Sequence, residues 1–325
     1  RQLAARPGEA SPIPVFGISW RDGARVREAL GSPDAPRVTF RLDARQGVGA
    51  PQTVEATLAG AGSRRDELVL MCAHGDSDSG GPGADDNASG VAALVEVARA
   101  LAWAAAENLL PADRPTVRFI VWGAELDSSR SYVASRREEL RRVAAVINYD
   151  QAGTGAERDA LYIEGNDIPF NAPLLRLMER VASDHAGAEG FWREWTTTPA
   201  LGGTDTDAFL PREHGGHGAV AAPIPATTVF TSAWDAPVRR PQTPGWQSPG
   251  WSEPGDLFID FSAWYHSSGD TPERTTEAEP FNMERCARLA VITILRLMGA
   301  PPPERAATRS GRSRRCAWSP SGAGG

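Results

Sequence analysis

Two histidines and three acids fall along this chain at positions that suit a metal. His74 follows the apolar run Leu68–Cys72, and Asp76 stands two residues further on. An imidazole leaving a buried strand with a carboxylate beside it reads as a ligand and its orienting partner, because such a partner fixes the tautomer and raises the ring's basicity. Asp85 and Asp86 lie in the glycine-bounded stretch Gly83-Ala84-Asp85-Asp86-Asn87-Ala88-Ser89-Gly90. It opens a predicted helix from Val91 to Ala106, and a helix N-terminus favours anionic side chains. An acidic surface turn is the competing reading of this stretch alone. Glu125 then follows the run Val117–Trp122, Asp150 follows Val143–Tyr149, and His266 sits in Tyr265-His266-Ser267-Ser268-Gly269-Asp270. Imidazole and carboxylate ligands without thiolates suit zinc, with manganese or cobalt as alternatives. One aspartate bridging two ions about 3.5–4 Å apart makes a two-metal hydrolytic site. A nearby glutamate can then carry a proton from water to the leaving group.

The elements that must position these groups alternate. Predicted strands at Thr53–Leu58, Leu68–Cys72, Val117–Trp122, Val143–Tyr149, Leu161–Glu164 and Thr227–Thr231 are separated by predicted helices at 90–107, 134–142, 171–187 and 280–298. Such alternation implies an α/β fold with a mixed, mainly parallel central sheet covered by helices on both faces. Ligands of an open parallel sheet bind beyond the carboxyl ends of its strands, where His74, Glu125 and Asp150 are expected. Upstream, the pattern predicts a strand at Ile13–Ile18, a helix at Gly23–Leu30, a strand at Arg37–Leu42 and a linker at Gln46–Pro51. Residues 1–12 and 299–325 are expected to be disordered terminal segments, the latter with a basic run at Arg309–Arg315. Two long connections, 199–226 and the Pro/Trp-rich 232–256, suggest a lid or pocket rim.

Composition narrows the function classes. The 325 residues carry a net charge of −7, which argues against a nucleic-acid partner. All 34 basic residues are arginine, so lysine-based Schiff-base and phosphate-loop chemistry is excluded. Cys72, Cys286 and Cys316 are far apart and form no thiolate site. No run approaches the ~20 apolar residues of a membrane span, and no signal-peptide pattern is present. Oligomeric state is not legible.

The order His74-x-Asp76, Gly-Ala-Asp-Asp86-Asn-Ala-Ser-Gly, Trp-Gly-Ala-Glu125, Asn-Tyr-Asp150 and Tyr-His266-Ser-Ser-Gly-Asp270-Thr resembles the co-catalytic di-zinc exopeptidases related to aminopeptidases S and Y. That family also includes carboxypeptidase Q and the glutaminyl cyclases. The resemblance covers about residues 53–298, the expected catalytic domain, and implies a peptide substrate. Residues 13–45 look like the tail of a protease-associated domain, which implies a secreted or periplasmic protein. Carried over, His74, Asp86 and Asp150 hold one zinc, Asp86 and His266 a second, and Glu125 is the general base, with Asp76 as orienting partner of His74. Gly202-Gly203-Thr204-Asp205 resembles the family's Gly-x-Ser-Asp turn and, with Tyr265, is expected at the substrate. There is one departure: Leu126 stands where the family places a second glutamate, the ligand of the second zinc. Either Glu125 is the base and Asp127 replaces the missing ligand, or Glu125 has itself become the ligand. The retained strand register favours the base. An aminopeptidase is the leading expectation; carboxypeptidase or glutaminyl-cyclase chemistry, or a binding homologue without turnover, are the alternatives.

Overall fold

The computed structural model describes residues 18, 20–31, 37, 39, 41, 49–77, 81–154, 160–165, 169–198, 203–210, 224–231, 264–266, 268–277 and 279–299. By internal contacts the chain divides into residues 1–50 and 51–325. The first unit contains helix α1, Trp20–Leu30, which starts three residues before the expected Gly23. The predicted strands Ile13–Ile18 and Arg37–Leu42 fall largely outside the described residues. So do the segments 1–12, 232–256 and 300–325.

The second unit is built on seven strands: β1 Val54–Leu58, β2 Leu68–His74, β3 Thr116–Trp122, β4 Val143–Tyr149, β5 Ala160–Glu164, β6 Glu194–Thr198 and β7 Ala226–Phe230. Their order is β1-β3-β2-β4-β7-β5-β6. Strands β3, β2, β4 and β7 are mutually parallel. At one edge β1 runs antiparallel to β3; at the other β5 runs antiparallel to β7 and carries β6 parallel to itself. The sheet is thus mixed and mainly parallel, as expected. From β2 the chain moves to β3 on one side, then returns past β2 to β4 on the other. That reversal opens a crevice at the carboxyl ends of the central strands.

Alternation along β2 explains why it is buried throughout. Val69, Met71 and Ala73 pack with α2 (Gly90–Ala106), α5 (Ala172–His185) and α6 (Phe281–Leu297), through residues such as Leu94, Met178 and Leu289. Leu68, Leu70 and Cys72 face the opposite layer, with Tyr132 and Val133 of α3 (Glu125–Ser135) and Leu140 of α4 (Arg137–Leu140). Burying each large aliphatic side chain contributes roughly 1.5–3 kcal/mol, so the strand that carries His74 is clamped from both sides. The segment Ala84–Ala106 is long and apolar enough to cross a membrane by composition. It starts, however, with the buried Asp85 and Asp86 and packs α2 against β2 and α6, so it reads as a core helix.

Two local predictions are corrected. The helix expected over 134–142 instead begins at Glu125 as α3, followed by the single turn α4. Ala124 is extended, at φ −155° and ψ 94°, and Ser128 closes the turn at once. The Ser128 Oγ accepts the Ala124 N–H at 3.0 Å, and the Ser128 N–H donates to the Ala124 carbonyl at 2.7 Å. Strand β6 was not anticipated, because Glu194-Trp195-Thr196-Thr197-Thr198 carries little apolar character and lies at a sheet edge.

Candidate metal centre

His74 is the last residue of β2, which runs two residues past the expected end at Cys72. It is buried, and its Nε2 lies 3.2 Å from Asp86 Oδ1 and 3.5 Å from Asp150 Oδ1. On the other side of the ring, Nδ1 stands 3.0 Å from the Asp76 carbonyl and 3.4 Å from its carboxylate. The sequence reading gave this contact to the carboxylate alone; the nearer partner is the main chain. Asp76 Oδ1 also accepts the Glu125 N–H at 3.0 Å. One carboxylate therefore sits against both the His74 ring and the first turn of α3.

Asp86 lies between the two histidines, since its Oδ2 is 3.0 Å from His266 Nε2. The Asp86–Asn87 peptide is cis. The Asn87 side chain knits this turn to the end of β4: Nδ2 donates to the Tyr149 carbonyl at 2.8 Å, while Oδ1 accepts the Gly90 N–H at 3.0 Å and the Gln151 N–H at 3.3 Å. A Cβ at Gly90 would stand 2.3 Å from Asn87 Oδ1 and 2.6 Å from the Tyr149 carbonyl, so glycine is required there. Two further carboxylates brace the turn. Asp85 Oδ1 accepts the Gly153 and Thr154 N–H groups, each at 2.9 Å. Asp270 accepts the Asp85 N–H at 2.8 Å and the Asp86 N–H at 3.0 Å.

Asp150 follows β4. Its Oδ2 accepts the Thr204 hydroxyl at 2.9 Å, whereas its Oδ1 is buried without a hydrogen-bond partner. A buried, unpaired carboxylate oxygen is costly. Ligand atoms of His74, Asp86 and Asp150 all lie within 4.8 Å of one another. These donors and the orphaned oxygen fit a divalent cation of the zinc type.

Electrostatics point the same way. Burial, then the charges of Asp150, Asp205 and Asp86, push Glu125 up to about 9. Asp205 is raised to about 8, chiefly by burial, and Asp85 to about 7 for the same reason. Burial opposes protonation of His74, but the neighbouring carboxylates of Asp150, Asp76 and Asp86 carry it well above its ordinary value. Asp86 falls to about 2 because the two histidines outweigh its burial. A divalent cation would offset the charge of these crowded acids once they ionise.

Not every expected residue joins this group. Asp127 is exposed on the first turn of α3, outside the His74–Asp86–Asp150 cluster. Asp205, expected to touch substrate, is fully buried. With the Asn148 amide oriented to satisfy its neighbours, Asn148 Nδ2 donates to Asp205 Oδ2 and to the Cys72 carbonyl, both at 3.0 Å. Asp205 is thus held against Asn148 of β4 rather than exposed to solvent. Tyr265 is partly buried and stacks on the His266 ring, centroids 3.7 Å apart. The bracing roles of Asp85, Asn87 and Thr204 were not anticipated; only the polar density of their motifs hinted at them.

Comparison with known proteins shows what the chain resembles. The chain is 26% identical over 301 residues to a probable leucine aminopeptidase 2 of Arthroderma benhamiae, an alignment covering 89% of this chain and 54% of the relative. It is 32% identical over 169 residues to aminopeptidase YwaD of Bacillus subtilis, covering 50% and 34% of the two chains. The chain thus spans about half the length of the leucine aminopeptidases it matches. Among solved structures, a zinc aminopeptidase from Bacillus subtilis superimposes with a TM-score of 0.51 at 22% identity, over 79% of this chain and 51% of that one, which establishes a shared fold. The model of peptidase family M28 matches residues 53–291, from the first edge strand into the last helix, and the chain belongs to that family.

Proposed function

We propose that this chain is a zinc-dependent aminopeptidase that hydrolyses the N-terminal peptide bond of a peptide. The observation that carries the reading is the buried His74–Asp86–Asp150 cluster, with an Asp150 oxygen that accepts no hydrogen bond, beside a half-buried Glu125. The leucine aminopeptidase and YwaD relatives support the same activity. His74, Asp86 and Asp150 would hold one zinc, and Asp86 with His266 would hold a second. Zinc at such a site polarises a carbonyl and acidifies water. Glu125 takes the proton of the attacking water and returns it to the leaving amine, the general-base role. The surrounding carboxylates also suit the free ammonium group at a peptide's N-terminus. Because Leu126 is apolar and Asp127 faces solvent, the second half-site has fewer protein ligands than the first. The other reading of Glu125, as replacement ligand, is separated from the base by the variant discussed below. A place outside the cytoplasm is supported by a relative named as a probable lipoprotein aminopeptidase of Mycobacterium tuberculosis, and cell fractionation tests it.

The experiment is release of a chromogenic amine from aminoacyl substrates, with and without a chelator, beside metal analysis. Activity should vanish with chelator and return with zinc. Asp86→Ala should lose both zinc and turnover; a variant with unchanged zinc content rules out the bridging role.

A further inference from the structure

The Asp86 turn is fastened from two sides by carboxylates outside the proposed ligand set. Asp85 reaches across to the main chain at Gly153 and Thr154, just past Asp150, and so ties the turn to the first half-site. Asp270 does the equivalent on the opposite side. It is buried, and its two oxygens each accept one of two consecutive N–H groups, those of Asp85 and Asp86, while its own carbonyl accepts the Ala84 N–H at 3.1 Å. Three successive residues of the turn are thus bonded to one residue. His266 is only four positions before Asp270. Trp264 and Gly269, on either side of His266, lie in contact, because a Cβ at Gly269 would stand 2.2 Å from the Trp264 ring. Arg274 lies over the same Trp264 ring, 4.6 Å from its centroid. Fixing Asp270 to the turn therefore fixes the height of His266 over Asp86.

We propose that Asp270 is a positioning residue for the second metal: it clamps the bridging-aspartate turn to the His266 loop and sets the 3.0 Å approach of His266 Nε2 to Asp86 Oδ2. The inference rests on the proposed two-metal reading. It carries most weight where Leu126 has removed a ligand, since a half-site with few ligands depends more on how they are held. Partners of ligands typically govern ~10–100-fold in metal affinity.

The chemistry of the clamp supplies the test. Asparagine at 270 offers a single acceptor oxygen and turns an N–H group toward a backbone N–H, so one of the two paired bonds becomes a repulsion. Zinc is titrated into the metal-free full chain against a chromogenic chelator, for wild type and Asp270→Asn. Wild type should bind two ions; the variant should keep the first at unchanged affinity and hold the second ~10–100-fold more weakly. In a His266→Ala background, Asp270→Asn should add no further loss. Should Asp270→Asn fail to fold, Gly269→Ala, which forces the Trp264 ring aside, should weaken the second ion alone. The proposal is overturned if Asp270→Asn leaves the second ion as tight as in wild type, weakens both ions equally, or adds its effect to that of His266→Ala. Wild type binding a single ion with peptidase activity also overturns the clamp while leaving the peptidase reading intact. A wild-type protein with neither zinc nor peptidase activity refutes the peptidase reading itself.

Discussion

Replacing Glu125 by glutamine should pull activity and stability in opposite directions. The side chain is mostly buried and surrounded by Asp150, Asp205 and Asp86, which raise it from its ordinary 4.5 to about 9. In the metal-free protein at pH 7 the folded state holds a proton on Glu125 that the unfolded chain has released. Stability from this group therefore falls as pH rises above 4.5 and continues to fall until about 9. The interval from 4.5 to pH 7, at about 1.4 kcal/mol per pH unit, sets the cost at roughly 3 kcal/mol as an upper figure. Glutamine is neutral and of similar shape, so Glu125→Gln should recover part of that cost and raise the melting temperature in the presence of a chelator. With zinc restored, the amide cannot accept the proton of water. Turnover should fall by about 10²–10⁴-fold, which is roughly 3–5 kcal/mol of barrier. Differential scanning calorimetry in chelator, zinc content and the rate of aminoacyl hydrolysis make the assay. A variant that keeps both zinc and turnover refutes the base role. Loss of one zinc assigns Glu125 as the replacement ligand instead. A metal-free variant less stable than wild type at pH 7 refutes the electrostatic argument.

Two further outcomes follow from the same centre. Asp76→Asn should weaken zinc binding or activity by ~10–100-fold, because Asp76 supports both the His74 ring and the Glu125 turn; full activity at limiting zinc would reduce it to a surface carboxylate. Zinc affinity should rise with pH between about 6 and 8, since Asp85, Asp205 and Glu125 are raised to about 7, 8 and 9 and protons retained there compete with the cation. A calorimetric titration showing no proton release at pH 7 would contradict that.

How far the sequence could be read depended on whether a signal is local. The buried strands were legible because Leu68–Cys72 and Val143–Tyr149 are continuous apolar runs, and α2 because its periodic pattern follows a glycine-bounded turn. His74, Asp86, Asp150 and His266 could be singled out because each lies at a strand end or in a polar motif. Their convergence is a property of the sheet order, which no local pattern states. Polar β6 escaped because an edge strand needs little apolar surface. The start of α3 escaped because two contacts of Ser128 with Ala124, rather than hydrophobic periodicity, define it. The burial of Asp205 against Asn148 could not be read from its motif, because it is a matter of packing.

The placement of β2 between β3 and β4 has a consequence for how this centre tolerates change. Neighbouring strands are held about 4.8 Å apart by their hydrogen bonds, so the sheet acts as a ruled scale on which Glu125, His74 and Asp150 mark three successive divisions. The scale is read only at its end. Helices α2, α3 and α4 can gain or lose turns without altering it, because they return the chain to the same strand ends. Variation in this family can therefore accumulate in the connections while the distances that matter to a cation stay tied to backbone hydrogen bonding, the least variable dimension of the molecule.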